Sequence, residues 1–213
     1  MKQILTLITS ALAVGGAQAA IIATDNASTA PTLGGNVIGY NGAASARFGW
    51  DASESFTQSF TVSGAGTLDT IYLGYNAFDN GETLTFDLSV NGNLVETGII
   101  LDGDNFSGSS GTDGGSTPVY WMKLDLSAEN IPVSAGSNNF TMAATSDTGA
   151  GYALAPLYNS NTSSYTGGAM NLSFSVTTGD LLFAVATTPV PEPSSSALLG
   201  LGGLALILRR RKG

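Results

Sequence analysis

A chain of 213 residues with 7 basic and 16 acidic side chains, no histidine and no cysteine closes off several functions at once. Without histidine there is no Ser-His-Asp triad, no Cys-His pair and no ordinary zinc or copper site, and without cysteine no disulfide. Lys2, Arg209, Arg210, Arg211 and Lys212 sit at the two ends, so residues 20–190 hold Arg47 and Lys123 against fifteen acids, a net of −13. That body has too few cations to neutralise the phosphates of nucleic acid or anionic lipid, which leaves cations or neutral glycans as partners.

Residues 1–19 place Lys2 before an apolar run from Ile4 to Val14 and end in small residues, Ala17-Gln18-Ala19. This is the order of a secretory signal with an A-x-A site, so Ala17 and Ala19 mark the cleavage and Ala20 starts the mature chain. Export then requires a body stabilised by core burial alone.

Residues 20–186 are rich in Gly, Ser, Thr and Asn and carry many short alternating runs. SFTQSFTV sets Phe56, Phe60 and Val62 on one side of a strand, and TLDTIYLGY, Thr67 to Tyr75, follows. Asn80-Gly81 joins that segment to the next, in which Leu84, Phe86, Leu88 and Val90 alternate with polar residues. Asn91-Gly92 then predicts a type I′ hairpin into Asn93–Ile100. Tyr120, Met122, Leu124 and Leu126 alternate with Trp121, Lys123 and Asp125; Phe140, Met142 and Ala144 repeat the pattern, as do Leu172, Phe174 and Val176, before the apolar run Leu181–Ala186. Nine or ten strands and no amphipathic helix argue for an all-β fold, an antiparallel β-sandwich and most simply a jelly roll.

Between strands, DGDNFSGSSGTDGGSTP from Asp102 to Pro118 is a long polar loop, and such loops are usually functional or mobile. Asp102, Asp104, Asn105 and Asp113 supply oxygens of the kind calcium takes, although the spacing is not that of an EF-hand; the alternative is a solvated acidic loop. Trp121, beside Lys123 and Asp125, reads as an exposed ring that a sugar would cover, with Tyr120 and Trp50 as further candidates and Tyr72 and Tyr75 behind them; the alternative is that these rings belong to the core. Glu54, Glu82, Glu96 and Glu129 are the body's only glutamates and the only basis for a carboxylate-driven glycosidase. Asn26, Asn105, Asn139, Asn161 and Asn171 lie in N-x-S/T sequons.

The chain closes with residues 187–213. A Pro/Ser linker, Thr187–Ser196, contains Pro191-Glu192-Pro193; a twelve-residue apolar run, Ala197–Leu208, follows; then come Arg209, Arg210, Arg211 and Lys212. The run is short against the roughly 20 residues of a permanent span, and the basic end stays cytoplasmic by the positive-inside tendency. Motif, short apolar stop and basic end make a processing signal, with a plain membrane anchor as the alternative. In this order the tail resembles the PEP-CTERM sorting signals of Gram-negative bacteria that make exopolysaccharide. That resemblance implies that a membrane-bound exosortase reads Pro191, Glu192 and Pro193 and removes the tail after transient insertion into the inner membrane. The body, through FTQSFTVSGAGTLDTIYLGY, YTGGAMN and GDLLFAV, is similar to the extracellular choice-of-anchor sandwich domains, which implies a displayed unit without assigned catalysis.

The expectation is therefore an exported, non-catalytic protein of the cell surface or extracellular matrix, meeting the secretion machinery and exosortase on its way out and extracellular polysaccharide afterwards. A calcium-assisted, lectin-like module is the second reading and a small glycan-cleaving enzyme the third.

Overall fold

The computed structural model describes residues 21–25, 29–78, 81–106, 119–148, 154–160, 165–173 and 179–190. The predicted secretory signal, Asp113, Phe174, Val176 and the tail from Pro191 lie outside these residues. The described chain is built from β1 (Ile22–Asp25), β2 (Val37–Tyr40), β3 (Ala46–Arg47), β4 (Ser55–Val62), β5 (Gly66–Phe78), β6 (Thr83–Val90), β7 (Asn93–Asp102), β8 (Tyr120–Asp125), β9 (Ile131–Val133), β10 (Gly136–Asp147), β11 (Leu154–Asn159), β12 (Met170–Leu172), β13 (Asp180–Leu181) and β14 (Phe183–Pro189), with one 3-10 turn at Gly103–Asn105.

Alternation decides which side of each strand is buried, because successive side chains leave a strand on opposite faces. In β6 every second residue, Leu84, Phe86, Leu88 and Val90, is buried, and β4 and the middle of β10 follow the same rule. Register locks these rows together: Phe56 pairs with Met142, and Met142 with Leu88. The order β12-β4-β10-β6-β7 makes a five-stranded sheet. The remaining nine strands form a second sheet along β1-β8-β5-β11-β13, with β14 pairing β2 and β5, β3 pairing β11, and β9 pairing β5. All the pairings are antiparallel.

The two sheets close on one core. Phe140 of β10 meets Phe183 of β14 at 6.0 Å between ring centroids. Trp50, bridged to Leu154, reaches Phe56 at 4.8 Å and Phe86 at 5.3 Å. Each such ring, fully buried, contributes about 1.5–3 kcal/mol of transfer free energy.

Asn91-Gly92 is the expected hairpin turn, with φ of 52° and 76° as type I′ requires. The Asn80-Gly81 connection behaves differently. It joins β5 to β6, but β5 pairs only within the nine-stranded sheet and β6 only within the five-stranded one, so the chain crosses the sandwich there. Fourteen described strands exceed the nine or ten expected because β1, β2, β3, β9 and β13, of two to four residues each, are too short to show a period.

A second, smaller apolar cluster joins Trp121, Leu157 and Leu182 under Tyr40, Ala44, Tyr72 and Val119. Trp121 and Leu182 alternate with the core residues Met122 and Phe183, which puts this cluster on the outward face of the nine-stranded sheet. Gly74 makes room for it: a Cβ there would stand 2.7 Å from the Leu182 Cβ, while its N–H donates to the Leu182 carbonyl at 2.7 Å.

Candidate functional site

The last strand determines how the tail leaves the body. Phe183–Ala186 of β14 pair on one side with β2 and on the other with β5, so the strand lies inside the sheet and not on its rim. Thr187, Thr188 and Pro189 continue along Leu68, Thr67 and Gly66. Thr187 N–H donates to the Asn36 carbonyl at 3.0 Å, the Thr188 hydroxyl to Asp69 Oδ2, and Val190 N–H to the Ala65 carbonyl at 3.1 Å. The expected boundary at residue 186 is thus corrected. Thr187–Pro189 belong to the sheet because their donors and acceptors meet β5 and Asn36, and Pro189, which has no N–H, sits at the strand's end. The next residue in sequence is Pro191, so Pro191-Glu192-Pro193 directly follows the last hydrogen-bonded backbone group among the described residues.

The aromatic candidates are overturned. Trp121 is 2% exposed within the outer apolar cluster and Trp50 0% exposed in the main core, so neither offers a ring face to a sugar. Trp50 Nε1–H donates to the Glu54 carbonyl at 3.3 Å, as a buried indole should. Tyr120 is half-buried and packs on Tyr75 at 5.8 Å between centroids; it too serves the core. Tyr75, fully buried, donates its hydroxyl to Asp25 Oδ1 at 3.1 Å.

Asp102, Asp104 and Asn105 do come together, in and beside the 3-10 turn. Asp102 Oδ1 accepts from Asp104 N–H at 3.1 Å, Asp102 Oδ2 from Asn105 Nδ2 at 3.0 Å, and Asp104 Oδ1 from Gly81 N–H at 2.8 Å. Their oxygens are engaged in capping and in tying the turn to the start of β6. Among the described residues no group of three or more acidic side chains is placed to hold a metal ion. The four glutamates lie on separate elements: Glu54 before β4, Glu82 before β6, Glu96 opposite Leu88 on β7 and Glu129 in the turn after β8. Glu54 accepts from Asp51 N–H at 2.9 Å, and burial, only partly offset by that bond, raises its pKa.

Two features were missed by reading hydrophobic periods alone. Gln58 and Asp180 occupy core positions at 0% and 1% exposure. Gln58 Oε1 accepts from Leu181 N–H at 2.9 Å, and Asp180 Oδ2 from Tyr165 N–H at 3.0 Å, whereas Asp180 Oδ1 has no hydrogen-bond partner among the described residues. Burial therefore pushes the Asp180 carboxyl pKa up, with the Tyr165 and Gln58 hydrogen bonds opposing.

The other feature is the outward face of the five-stranded sheet. Opposite the core rows stand Ser55, Thr57, Ser59 and Thr61 of β4, Ser137, Asn139, Thr141 and Ala143 of β10, and Thr83, Thr85, Asp87 and Ser89 of β6. Register sets Asn171, Thr57, Thr141 and Ser89 in one row across four strands. The Thr57 and Thr141 hydroxyls are 2.7 Å apart. Across these three strands the face has one charge, Asp87, and its Oδ1 accepts from Gly98 N–H at 2.9 Å. The signal was present in SFTQSFTV and TLTFDLSV, in the polar residues between the apolar ones.

Residues 189–212 match the PEP-CTERM protein-sorting motif. The match begins at the last residue of β14 and runs through the apolar run and the basic end. The chain thus carries the C-terminal sorting signal of an exported, exosortase-processed protein. No curated protein matches the chain. No helix among the described residues is long and apolar enough to cross a membrane; Ala197–Leu208 lies outside them.

Proposed function

We propose that this protein is a non-catalytic component of the cell surface or extracellular matrix of a Gram-negative bacterium, released from its tail at the Pro-Glu-Pro motif and then associated with neutral extracellular polysaccharide. The observation that carries the sorting part is the motif match at residues 189–212, starting where the sandwich ends. Mass spectrometry of the protein recovered outside the cell tests it: a chain ending near Val190–Pro193 is expected, and a chain running through Gly213 would refute the processing.

The polysaccharide part is supported by the outward face of the five-stranded sheet. Hydroxyl and amide side chains both donate and accept hydrogen bonds, as sugar hydroxyls do. Strands about 4.8 Å apart, with like-facing residues about 7 Å apart along each, repeat that chemistry over a surface suited to an extended polymer. With no exposed tryptophan among the described residues, each sugar is held weakly, and retention rests on many contacts along one chain. A body of −13 repels acidic polymers, so a neutral one is the fitting partner.

A further inference from the structure

Three Asn-Gly pairs occur in the chain, at 41–42, 80–81 and 91–92; Asn80 lies outside the described residues. An Asn-Gly pair is prone to modify itself, because glycine has no side chain to shield its nitrogen from the amide before it. The glycine nitrogen bonds to the Asn Cγ, ammonia leaves carrying the glycine proton, and water opens the resulting five-membered ring. The products are aspartate and isoaspartate, the latter with a backbone one methylene longer. Asn91 and Gly92 are both exposed, so water reaches them and burial does not protect the pair.

The protection is a clamp. In the five-stranded sheet β6 lies between β10 and β7. Asn91 follows β6 and Gly92 leads on to β7, whereas the Asn91 amide is drawn the other way, to β10. Asn91 Nδ2 donates to Asn138 Oδ1 at 2.9 Å, and Asn91 Oδ1 accepts from Asn139 N–H at 2.9 Å. Asn91 N–H donates to the Asn139 carbonyl at 2.9 Å. Both atoms bonded to the Asn91 Cγ at its amide end are thus anchored on the β10 side of the turn, which keeps Cγ from the rotation that the Gly92 nitrogen requires.

Asn138 holds the clamp shut. It is 2% exposed; its Nδ2 donates to the Ser134 carbonyl at 2.8 Å and the Gly136 carbonyl at 3.0 Å, and its Oδ1 also accepts from Ser134 N–H at 3.2 Å. All four hydrogen-bonding positions of this amide are therefore filled, and the two carbonyls fix which end is nitrogen. Conversion of Asn91 puts a carboxylate oxygen where a donor stood, against Asn138 Oδ1. Asn138 could turn its N–H groups toward that oxygen only by giving up both carbonyls, so the clamp does not close on the product.

From this network we infer that Asn91-Gly92 is a latent, one-way self-modification site, held as asparagine by Asn138 and Asn139 and converted when the end of the β6–β7 hairpin parts from β10. The reaction consumes only water. It leaves a negative charge at the turn, and isoaspartate there breaks the two-residue type I′ geometry, loosening the edge of the five-stranded sheet irreversibly. The inference is independent of the sorting and polysaccharide readings.

Peptide mapping of the secreted protein, incubated at neutral pH and constant temperature, measures isoaspartate at positions 41 and 91. With each clamping hydrogen bond slowing conversion about fivefold, position 91 reacts about 25-fold more slowly in the folded parent than in denaturing urea. Asn138→Ala removes one of the two bonds and speeds conversion at position 91 about fivefold. Position 41 keeps its parental rate in that variant, because Asn41 is held separately, its Nδ2 donating to the Pro31 carbonyl at 2.7 Å. Aged parent, separated by its added charge, melts below the unaged protein. Equal rates at position 91 in folded and urea-denatured parent overturn the inference, whether or not Asn138→Ala folds. So does a parental rate at position 91 in folded Asn138→Ala, or equal acceleration at positions 41 and 91, which would mark general loosening. An aged fraction that melts with the parent also overturns it, by showing that the clamp closes on the product.

Discussion

The two sheets turn very different faces outward. The nine-stranded sheet hides Trp121, Leu157 and Leu182 beneath Tyr40, Ala44, Tyr72 and Val119, while the five-stranded sheet leaves Ser, Thr and Asn rows open between its buried Phe and Leu rows. A tryptophan at a polar-alternating position is therefore a second core on one side, and the unremarkable hydroxyl positions on the other side are the surface that the proposed polysaccharide role uses. On the proposed reading, stability and recognition fall on opposite outer faces.

Substitutions that separate the two faces test this assignment. Trp121→Ala has the largest expected effect, a loss of about 3–5 kcal/mol in urea unfolding, with polysaccharide retention unchanged for the fraction that folds. Gly74→Ala is next: the added Cβ would meet Leu182 at 2.7 Å, and overpacking of this kind costs about 1–3 kcal/mol. A loss within experimental error there would show that the outer cluster is loosely packed. On the other face, Thr57→Val removes one partner of the Thr57–Thr141 hydroxyl pair and costs about 1 kcal/mol. Ser89→Arg with Ala143→Arg changes stability by about 0.5 kcal/mol or less while ending retention on polysaccharide.

Between the faces, Asp180 gives a pH dependence with a definite sign. Its folded pKa lies above the unfolded value because burial disfavours the charge. The stability it contributes is therefore fully present below about pH 4, the unfolded carboxylate value, and is lost as pH rises through the raised folded value. Denaturant midpoints measured from pH 4 to 8 should fall for the parent relative to Asp180→Asn; parallel curves would mean that the carboxyl is better solvated than its burial indicates.

Much of this architecture was legible in the sequence where apolar and polar residues strictly alternate, as in β4, β6 and β10, and at Asn91-Gly92, where the turn chemistry is specific. The outer cluster was not, because hydrophobic period marks one face as core and says nothing about a chain segment such as Tyr40–Ser45 folding back over the other. Gln58 and Asp180 escaped notice for the complementary reason: each is polar at an apolar position, and only the partners Leu181 N–H and Tyr165 N–H, distant in sequence, account for its burial. The tail was readable in full as a motif, since its order of Pro-Glu-Pro, apolar run and basic end is local. The extent of β14 was not, because Thr187–Pro189 look like linker until β5 is placed beside them.

The most direct test of the account is co-sedimentation of the tail-free body with the producing organism's neutral exopolysaccharide, comparing the parent with the Ser89→Arg, Ala143→Arg variant. The account predicts saturable retention of the parent and loss of it in the variant at unchanged melting temperature. Equal retention of both, or none of the parent at any polymer concentration, would contradict the assignment of the hydroxyl face to polysaccharide.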